Sequence, residues 1–213
     1  METGMRSEDW EPYYIRILAY FGFSREDDER SAKLLSALLL RNDITLLQDT
    51  IRGKDCIVCG NAPSLPSDIK NTDFTGKVVI AADAAASVLF SRGIRPDIII
   101  SDMDGMDDDF LDMNDAGTIL VLHAHGDNIP QVRSWIPKVR GPIVGTTQST
   151  PLANVYNFGG FSDGDRCVFA AYELGAGSVQ LIGFDLDDKN VDPIKHGKLM
   201  IARKLLKLAG HDV

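Results

Sequence analysis

The sequence predicts an α/β protein: a mostly parallel sheet flanked by helices, preceded by a helical segment at the N-terminus. Three observations lead there. From Asp55 onward, short apolar runs rich in valine and isoleucine alternate with helical stretches, the pattern of βαβ units. Residues 9 to about 52 carry helical periodicity only. Most of the apolar runs end in polar or flexible residues, and ligands of open α/β sheets bind beyond the carboxyl ends of the strands. The expected division is a helical segment over 1–53 and an α/β catalytic domain over 54–213.

In the helical segment, Trp10, Tyr13, Tyr14, Ile17, Leu18 and Phe21 recur at three- and four-residue spacing and make one apolar stripe, which Gly22 ends. Ser24-Arg-Glu-Asp27 resembles a capping box opening a second helix, whose buried face is Leu34, Leu35, Leu38 and Leu39. A third helix spans 44–51. The expected strands are 55–59, 78–82, 97–101, 119–123, 142–146 and 179–184. Helices are expected over 84–92, 107–116, 128–138 and 164–175, with a last one near 195–209. Cys56 and Cys59 stand three apart on the first strand, so they point to opposite faces and form neither a zinc site nor a redox pair.

Composition bounds the function. No apolar run approaches the roughly 20 residues of a membrane helix, and Asp83 interrupts the longest candidate. The first residues lack the pattern of a secretory signal, and an odd count of three cysteines points to a reducing cytoplasm. A formal net charge of −9 argues against a general nucleic-acid binder. That charge resides in one stretch: residues 96–132 contain nine aspartates and no lysine or arginine. Carboxylates crowded without cations raise one another's pKa. A hard divalent cation is their natural counter-charge, because Mg²⁺ takes one or two carboxylates and completes its shell with water and substrate phosphate.

The stretch opens with Pro96-Asp97-Ile-Ile-Ile-Ser-Asp102-Met-Asp104-Gly105, which places Asp102 and Asp104 at the end of a buried parallel strand. Solvated turn acids fit Asp107, Asp108 and Asp109 well and fit this pair poorly. An Asp-x-Asp-Gly run also matches phosphatases with an aspartate nucleophile, but those expect it on the first strand, and here it falls on the third. The other strand ends carry paired readings. Gly60-Asn61-Ala-Pro63-Ser64 is a phosphate-approach loop or an ordinary turn capped by Ser64. Asp83 meets a ligand or N-caps a helix. His123 and His125 share a strand face without a complete zinc set, and Asp127 is a further carboxylate on the cation or a helix cap. Gln148 follows the fifth strand. The loop Asn157-Phe-Gly159-Gly160-Phe-Ser-Asp163-Gly-Asp165-Arg166 suits a base or a phosphate, or simply opens a helix. Asp185 ends the last strand, and Lys198 reaches polyphosphate or lies on a solvated turn.

Together these motifs resemble the archaeal-type 6-hydroxymethyl-7,8-dihydropterin pyrophosphokinases, whose sheet domain is similar to the catalytic domain of thiamine pyrophosphokinase. The resemblance runs from Phe21-Gly-Phe-Ser-Arg-Glu-Asp27-Asp28-Glu29 through Gly60-Asn-Ala-Pro-Ser64, the Pro96 motif, Gly126-Asp127-Asn128 and the Asn157 loop to Gly183-Phe-Asp185. The His-x-His before Asp127 separates the chain from thiamine as substrate. The resemblance implies Mg²⁺-dependent transfer of diphosphate from ATP to the hydroxymethyl group of the reduced pterin, with AMP released. It implies metal ligands Asp102, Asp104, Asp83 and Asp127. Substrate contacts would come from Gly60, Asn61, Ser64, Gln148, Gly159, Gly160, Asp163, Asp165, Arg166, Asp185 and Lys198. The implied partners are small molecules, without nucleic acid or membrane, and homo-oligomerisation stays open. Two alternatives remain: an Asp-x-Asp nucleotide-sugar glycosyltransferase, and a non-catalytic module that binds Mg–nucleotide.

Overall fold

A computed structural model describes residues 7–212. Three helices come first: α1 (Ser7–Phe21), α2 (Arg25–Leu38) and α3 (Ile44–Ile51). Then follow β1 (Asp55–Cys59), α4 (Leu65–Lys70), β2 (Val78–Ala82), α5 (Ala85–Phe90), β3 (Ile98–Ser101), α6 (Asp108–Asp115) and β4 (Ile119–Ala124). The chain continues with α7 (Ile129–Trp135), β5 (Ile143–Thr147), β6 (Val155–Tyr156), α8 (Asp163–Glu173), β7 (Ser178–Ile182) and α9 (Pro193–Leu208). The seven strands form one sheet in the order β6-β5-β4-β3-β2-β1-β7, and every pairing is parallel. The predicted α/β class with an all-helical start is therefore what the chain adopts.

Burial explains why the central strands are so uniformly apolar. β2 and β3 are buried at every position, because helices cover both faces of the sheet. One face packs Trp10, Tyr14 and Ile17 of α1, Leu47 and Ile51 of α3, and the inner sides of α8 and α9. The other face packs α2, α4, α5, α6 and α7 through Leu35, Leu65, Leu89, Phe110 and Val132. Cys56 belongs to the first core and Cys59 to the second, as their spacing predicts. Burial pushes their thiols up to about 11 and about 12, so both stay protonated. Leu35 of α2 and Leu39 just past its end are buried, while Leu34 and Leu38 pack at the margin.

The differences from expectation have local causes. The helix expected over 128–138 is broken into a 3₁₀ turn at Gly126–Asn128, α7, and a second 3₁₀ turn at Ile136–Lys138. Pro137 lacks the N–H that would continue α7. β7 stops at Ile182 because Gly183 turns into the left-handed region at φ 69°. α9 starts two residues early, where Asp192 caps the backbone N–H groups of Ile194 and Lys195. The two-residue edge strand β6 is too short to show a period. Among the described residues no helix is long and apolar enough to cross a membrane.

This topology positions the site. All strands point one way, so the ends of β1, β2, β3, β4, β5 and β7 share one edge. After β6 the chain crosses back through α8, which packs on β1, β2 and β3, before β7 joins the far side of β1. The amino end of α8 therefore meets the loops after β2 and β3.

Candidate active site

The loops after β2 and β3 are interlocked. Asp83 leaves β2 with φ 45°, a conformation uncommon outside glycine, while its N–H donates to Ile100 O at 2.8 Å. Ser101, the last residue of β3, donates its hydroxyl to Asp83 Oδ1 at 2.6 Å and accepts from Met103 N at 2.8 Å. Met103 is itself left-handed at φ 70°, and Asp104 N donates to Asp102 Oδ1 at 3.1 Å. Strained backbone at adjoining strand ends is a frequent mark of a functional site. Gly105 closes the arrangement, because a Cβ there would overlap the Asp83 carboxylate. Gly105→Ala should lower activity by at least about tenfold by displacing that carboxylate. Steady-state kinetics alongside an unfolding curve checks this, since the fold should survive.

Three carboxylates converge. Asp83, Asp102 and Asp163, the first residue of α8, place ligand oxygens within 4.8 Å of one another. An all-oxygen, all-carboxylate set suits a hard divalent cation such as Mg²⁺. Asp104 and Asp127 line the same cleft but do not join that cluster. Asp163, expected as a substrate contact, stands where the metal set was expected to include them.

Electrostatics separates the three acids. Burial pushes Asp163 up to about 8, reinforced by the charge of Asp102 and opposed by Arg166. Burial also raises Asp83. Asp102 goes the other way: burial raises it, but the His125 hydrogen bond, the Arg166 charge and the Asp104 amide together hold it at about 2. Mutual elevation, expected for crowded carboxylates, thus holds for two of them and fails for the one with close cationic and donor partners.

Around the triad, His125 Nε2 lies 3.4 Å from Asp102 Oδ2, and His125 Nδ1 accepts from Asp127 N at 3.3 Å. Arg166 donates through Nη1 to Asp163 Oδ1 at 3.1 Å and through Nη2 to Gln148 Oε1 at 3.0 Å. Asn128 ties β3 to β4, its Nδ2 donating to Asp102 O at 2.8 Å and His123 O at 2.6 Å. His123 is buried, and burial holds its imidazole well below the usual range, so it is neutral.

Two cavities meet at the triad. The larger, about 750 Å³, is bordered by Asp102, Asp104, Asp127, Gln148, Arg166 and Lys198. The smaller, about 290 Å³, is bordered by Gly60, Asn61 and Asp185 beside Phe184 and Leu186. Asp83, Ser162, Asp163 and Lys195 border both. Several expected contacts have other duties. Gly60 N donates to Ile182 O at 2.9 Å, and a Cβ on Gly60 would meet Gly183 O at 2.6 Å, so this glycine lets two loops touch. Ser64 lines neither cavity and donates to Asp68 Oδ2 at 3.0 Å. Asp165 turns inward and accepts from Phe161 N at 2.6 Å and Ser162 N at 2.9 Å, capping α8. Gly160 gives Arg166 room, since a Cβ would lie 2.7 Å from the Arg166 Cα, and Gly159 borders a small void beside Arg166.

The neighbouring acids on α6 are different in kind. Asp107 is the N-cap, accepting from Asp109 N at 3.0 Å, and Asp108 and Asp109 fill the first turn, where the helix dipole favours negative charge. All three are exposed. Replacing Asp108 and Asp109 with Ser, and Asp107 with Asn to keep the cap, should leave turnover within about threefold and stability within about 1 kcal/mol. A collapse of turnover in that triple variant would move the site boundary.

Sequence reasoning gave Asp28 no role. It is 2% exposed, on the buried side of α2 with Ser31, Ala32 and Leu35, and it accepts from Tyr14 Oη, Gln148 Nε2 and Gly126 N. An acid at helical spacing among apolar and small residues was the available signal, since buried carboxylates need dedicated partners.

Known proteins share this sequence pattern. A family model described as 6-hydroxymethylpterin diphosphokinase MptE-like matches residues 30–191. Three relatives carry the name 6-hydroxymethyl-7,8-dihydropterin pyrophosphokinase. The one from Methanothermobacter thermautotrophicus is 39% identical over 95% of this chain and 94% of its own length. The Pyrococcus furiosus protein is 41% identical over 85% of this chain and 78% of its own. The Methanocaldococcus jannaschii protein is 35% identical over 85% and 80%. With most of its length matched by that model, and 85% or more of it aligned to each of these relatives, the chain belongs to the MptE-like family of 6-hydroxymethylpterin diphosphokinases.

Proposed function

We propose that the chain transfers an intact diphosphate from ATP to the hydroxymethyl group of 6-hydroxymethyl-7,8-dihydropterin, releasing AMP, and that Asp83, Asp102 and Asp163 hold the Mg²⁺ this requires. The observation that carries the proposal is the convergence of those three carboxylates where two cavities meet. Two substrates need two cavities, and the reacting groups need a shared border. In the reaction the pterin hydroxyl oxygen gives up its proton to the solvent and bonds to the β-phosphorus, the bond from that phosphorus to the α–β bridging oxygen breaks, and AMP departs with that oxygen while β and γ pass together to the pterin. Mg²⁺, when bound, supplies charge neutralisation for phosphate oxygens and holds the chain in line.

The protein's own part is positioning and charge, as for phosphoryl transfer in general. Arg166 braces Asp163, and His125 braces Asp102, so two of the three carboxylates are held from behind. Lys195 at the shared border and Lys198 in the larger cavity supply cationic charge for the polyphosphate. Asp83 is fixed through Oδ1 by Ser101, which leaves Oδ2 facing Gly105.

The direct test is to incubate the protein with MgATP and the reduced pterin and measure AMP. AMP should form only when ATP, Mg²⁺ and pterin are all present. AMP formed without the pterin, or none formed with it, counts against the reading. Thiamine and sugar acceptors serve as controls, and nucleotide binding without turnover on any of them would favour a binding module.

A further inference from the structure

Gln148, just past the end of β5, is 4% exposed, and both ends of its amide are committed to protein groups. Its Nε2 donates to Asp28 Oδ2 at 2.8 Å, and its Oε1 accepts from Arg166 Nη2 at 3.0 Å. Its backbone oxygen is taken as well, by Trp10 Nε1 at 2.7 Å and Asn157 Nδ2 at 3.2 Å. Each end of the amide is thus tied to one charged protein group while the side chain borders the larger cavity. Its neighbours also decide which way the amide faces. An ionised carboxylate only accepts and a guanidinium only donates, so one of the two amide orientations satisfies both neighbours and the flipped one satisfies neither.

Asp28 is held as firmly. Tyr14 Oη donates to its Oδ2 at 2.7 Å, and Gly126 N donates to its Oδ1 at 2.7 Å. On the other side, Arg166 Nη1 reaches Asp163 Oδ1 at 3.1 Å. A continuous row of polar groups thus runs from Tyr14 on α1, through Asp28 on α2, Gln148 and Arg166, to the carboxylate triad. Carboxylate, aligned amide and guanidinium are arranged head to tail, so each hydrogen bond strengthens the next.

We infer that Asp28 and Gln148 are positioning residues: they fix the amide orientation that holds the Arg166 guanidinium against Asp163, and through it they set the cation affinity of the triad. The inference rests on the assignment of the triad as the Mg²⁺ site. With Asn at position 28, a carboxamide can offer N–H toward Gln148. The Gln148 amide is then oriented by Arg166 alone. Flipped, it meets the new carboxamide but turns its NH₂ to the guanidinium; unflipped, it can set two N–H donors together. Either way the row is broken and the hold of Arg166 on Asp163 weakens. A carboxylate at position 148 removes the ambiguity, because it accepts from both sides. Beside an intact Asp28, however, it sets two carboxylates against each other.

The test is a double-mutant cycle of Asp28→Asn and Gln148→Glu, read by Mn²⁺ titration of the protein alone using electron paramagnetic resonance, with unfolding curves on each variant. Each single variant should bind Mn²⁺ about tenfold more weakly, and the double variant should recover to within about threefold of the parent. In turnover assays the Mg²⁺ concentration for half-maximal rate should follow the same order. Tyr14→Phe, which removes one donor from Asp28 and leaves the amide orientation alone, should lower the unfolding temperature and weaken Mn²⁺ binding by no more than about twofold. If Asp28→Asn does not fold, Gln148→Met removes both amide bonds at similar volume and should weaken Mn²⁺ binding equally. Losses that add in the double variant, or single variants that bind like the parent, overturn the inference. A parent protein that binds no Mn²⁺ at all overturns the metal assignment and the inference with it, a result distinct from a binding parent with an additive cycle.

Discussion

Asp102→Asn should reduce turnover by on the order of 10²-fold or more, the scale of losing a preorganised electrostatic contact at a reacting centre. The substitution keeps shape and removes charge. Asp102 is the carboxylate of the triad held at about 2, by His125, Arg166 and the Asp104 amide against the effect of burial, so it is ionised throughout the physiological range. Losing it removes the fixed charge of the set and leaves His125 Nε2 facing an amide. Stability should fall, not rise. A carboxyl whose folded pKa lies below its unfolded value contributes stability above the unfolded pKa, and that contribution disappears as pH drops through the folded one. The variant should therefore be less stable than the parent at neutral pH, and the two should converge near pH 2 to 3. Activity close to the parent at low Mg²⁺ would remove Asp102 from the metal set.

Asp163→Asn should lose activity on a similar scale while gaining stability when no metal is bound. Burial and the neighbouring Asp102 push the Asp163 carboxyl up to about 8, against an unfolded value near 3.9. Between those values the folded state holds a proton that the unfolded state releases, so this group makes stability decline as pH rises from about 4 to about 8. Asn cannot ionise and escapes the decline. The unfolding temperatures of parent and variant should match near pH 4, and the variant should lead by several degrees at pH 8, at about 2–4 °C per kcal/mol for a chain of this size. Saturating Mg²⁺ with ATP should stabilise only the parent, by ligand linkage. Metal uptake at pH 7 should also release close to one proton, measurable calorimetrically in buffers of different ionisation enthalpy. A variant that is less stable than the parent at pH 8 would show that Asp163 is a structural acid.

The parts of the fold that depend on local pattern were legible in the sequence. Apolar β-branched runs such as Ile98-Ile99-Ile100 mark buried parallel strands, and the Trp10 to Phe21 stripe marks an amphipathic helix, because both follow from periods of two and 3.6 residues. Strand order was not legible. The return of β7 to the far side of β1 is a tertiary event, and it is the same crossover that carries Asp163 to the ends of β2 and β3. Asp102 and Asp83 were found as candidate metal ligands because strand ends sit on one edge of a parallel sheet. Asp104 follows the same strand end as Asp102 and borders the same cleft. The left-handed Met103 between the two turns the backbone so that the Asp104 amide donates to Asp102.

Elsewhere one motif carries both structural and chemical candidates. Asp163 and Asp165 are two apart in one loop, yet one meets the triad and the other caps the helix it begins. The Ser162-x-x-Asp165 spacing is a capping signal that distinguishes them. Ser64 and Gly60 fit a phosphate loop by composition alone, and only the contacts with Asp68 and Gly183 reveal packing roles. Asp28 escaped because it lies about 120 residues before Gln148, the partner that gives it purpose.

The central claim is that β- and γ-phosphorus move together to an alcohol, and ATP labelled at the γ-phosphorus tests it most directly. With MgATP and reduced hydroxymethylpterin, the label should appear in the pterin diphosphate in a one-to-one ratio with AMP, and free labelled phosphate should stay at the background of ATP hydrolysis. Label recovered as inorganic phosphate, as a pterin monophosphate, or as an acyl phosphate on Asp102 would contradict it.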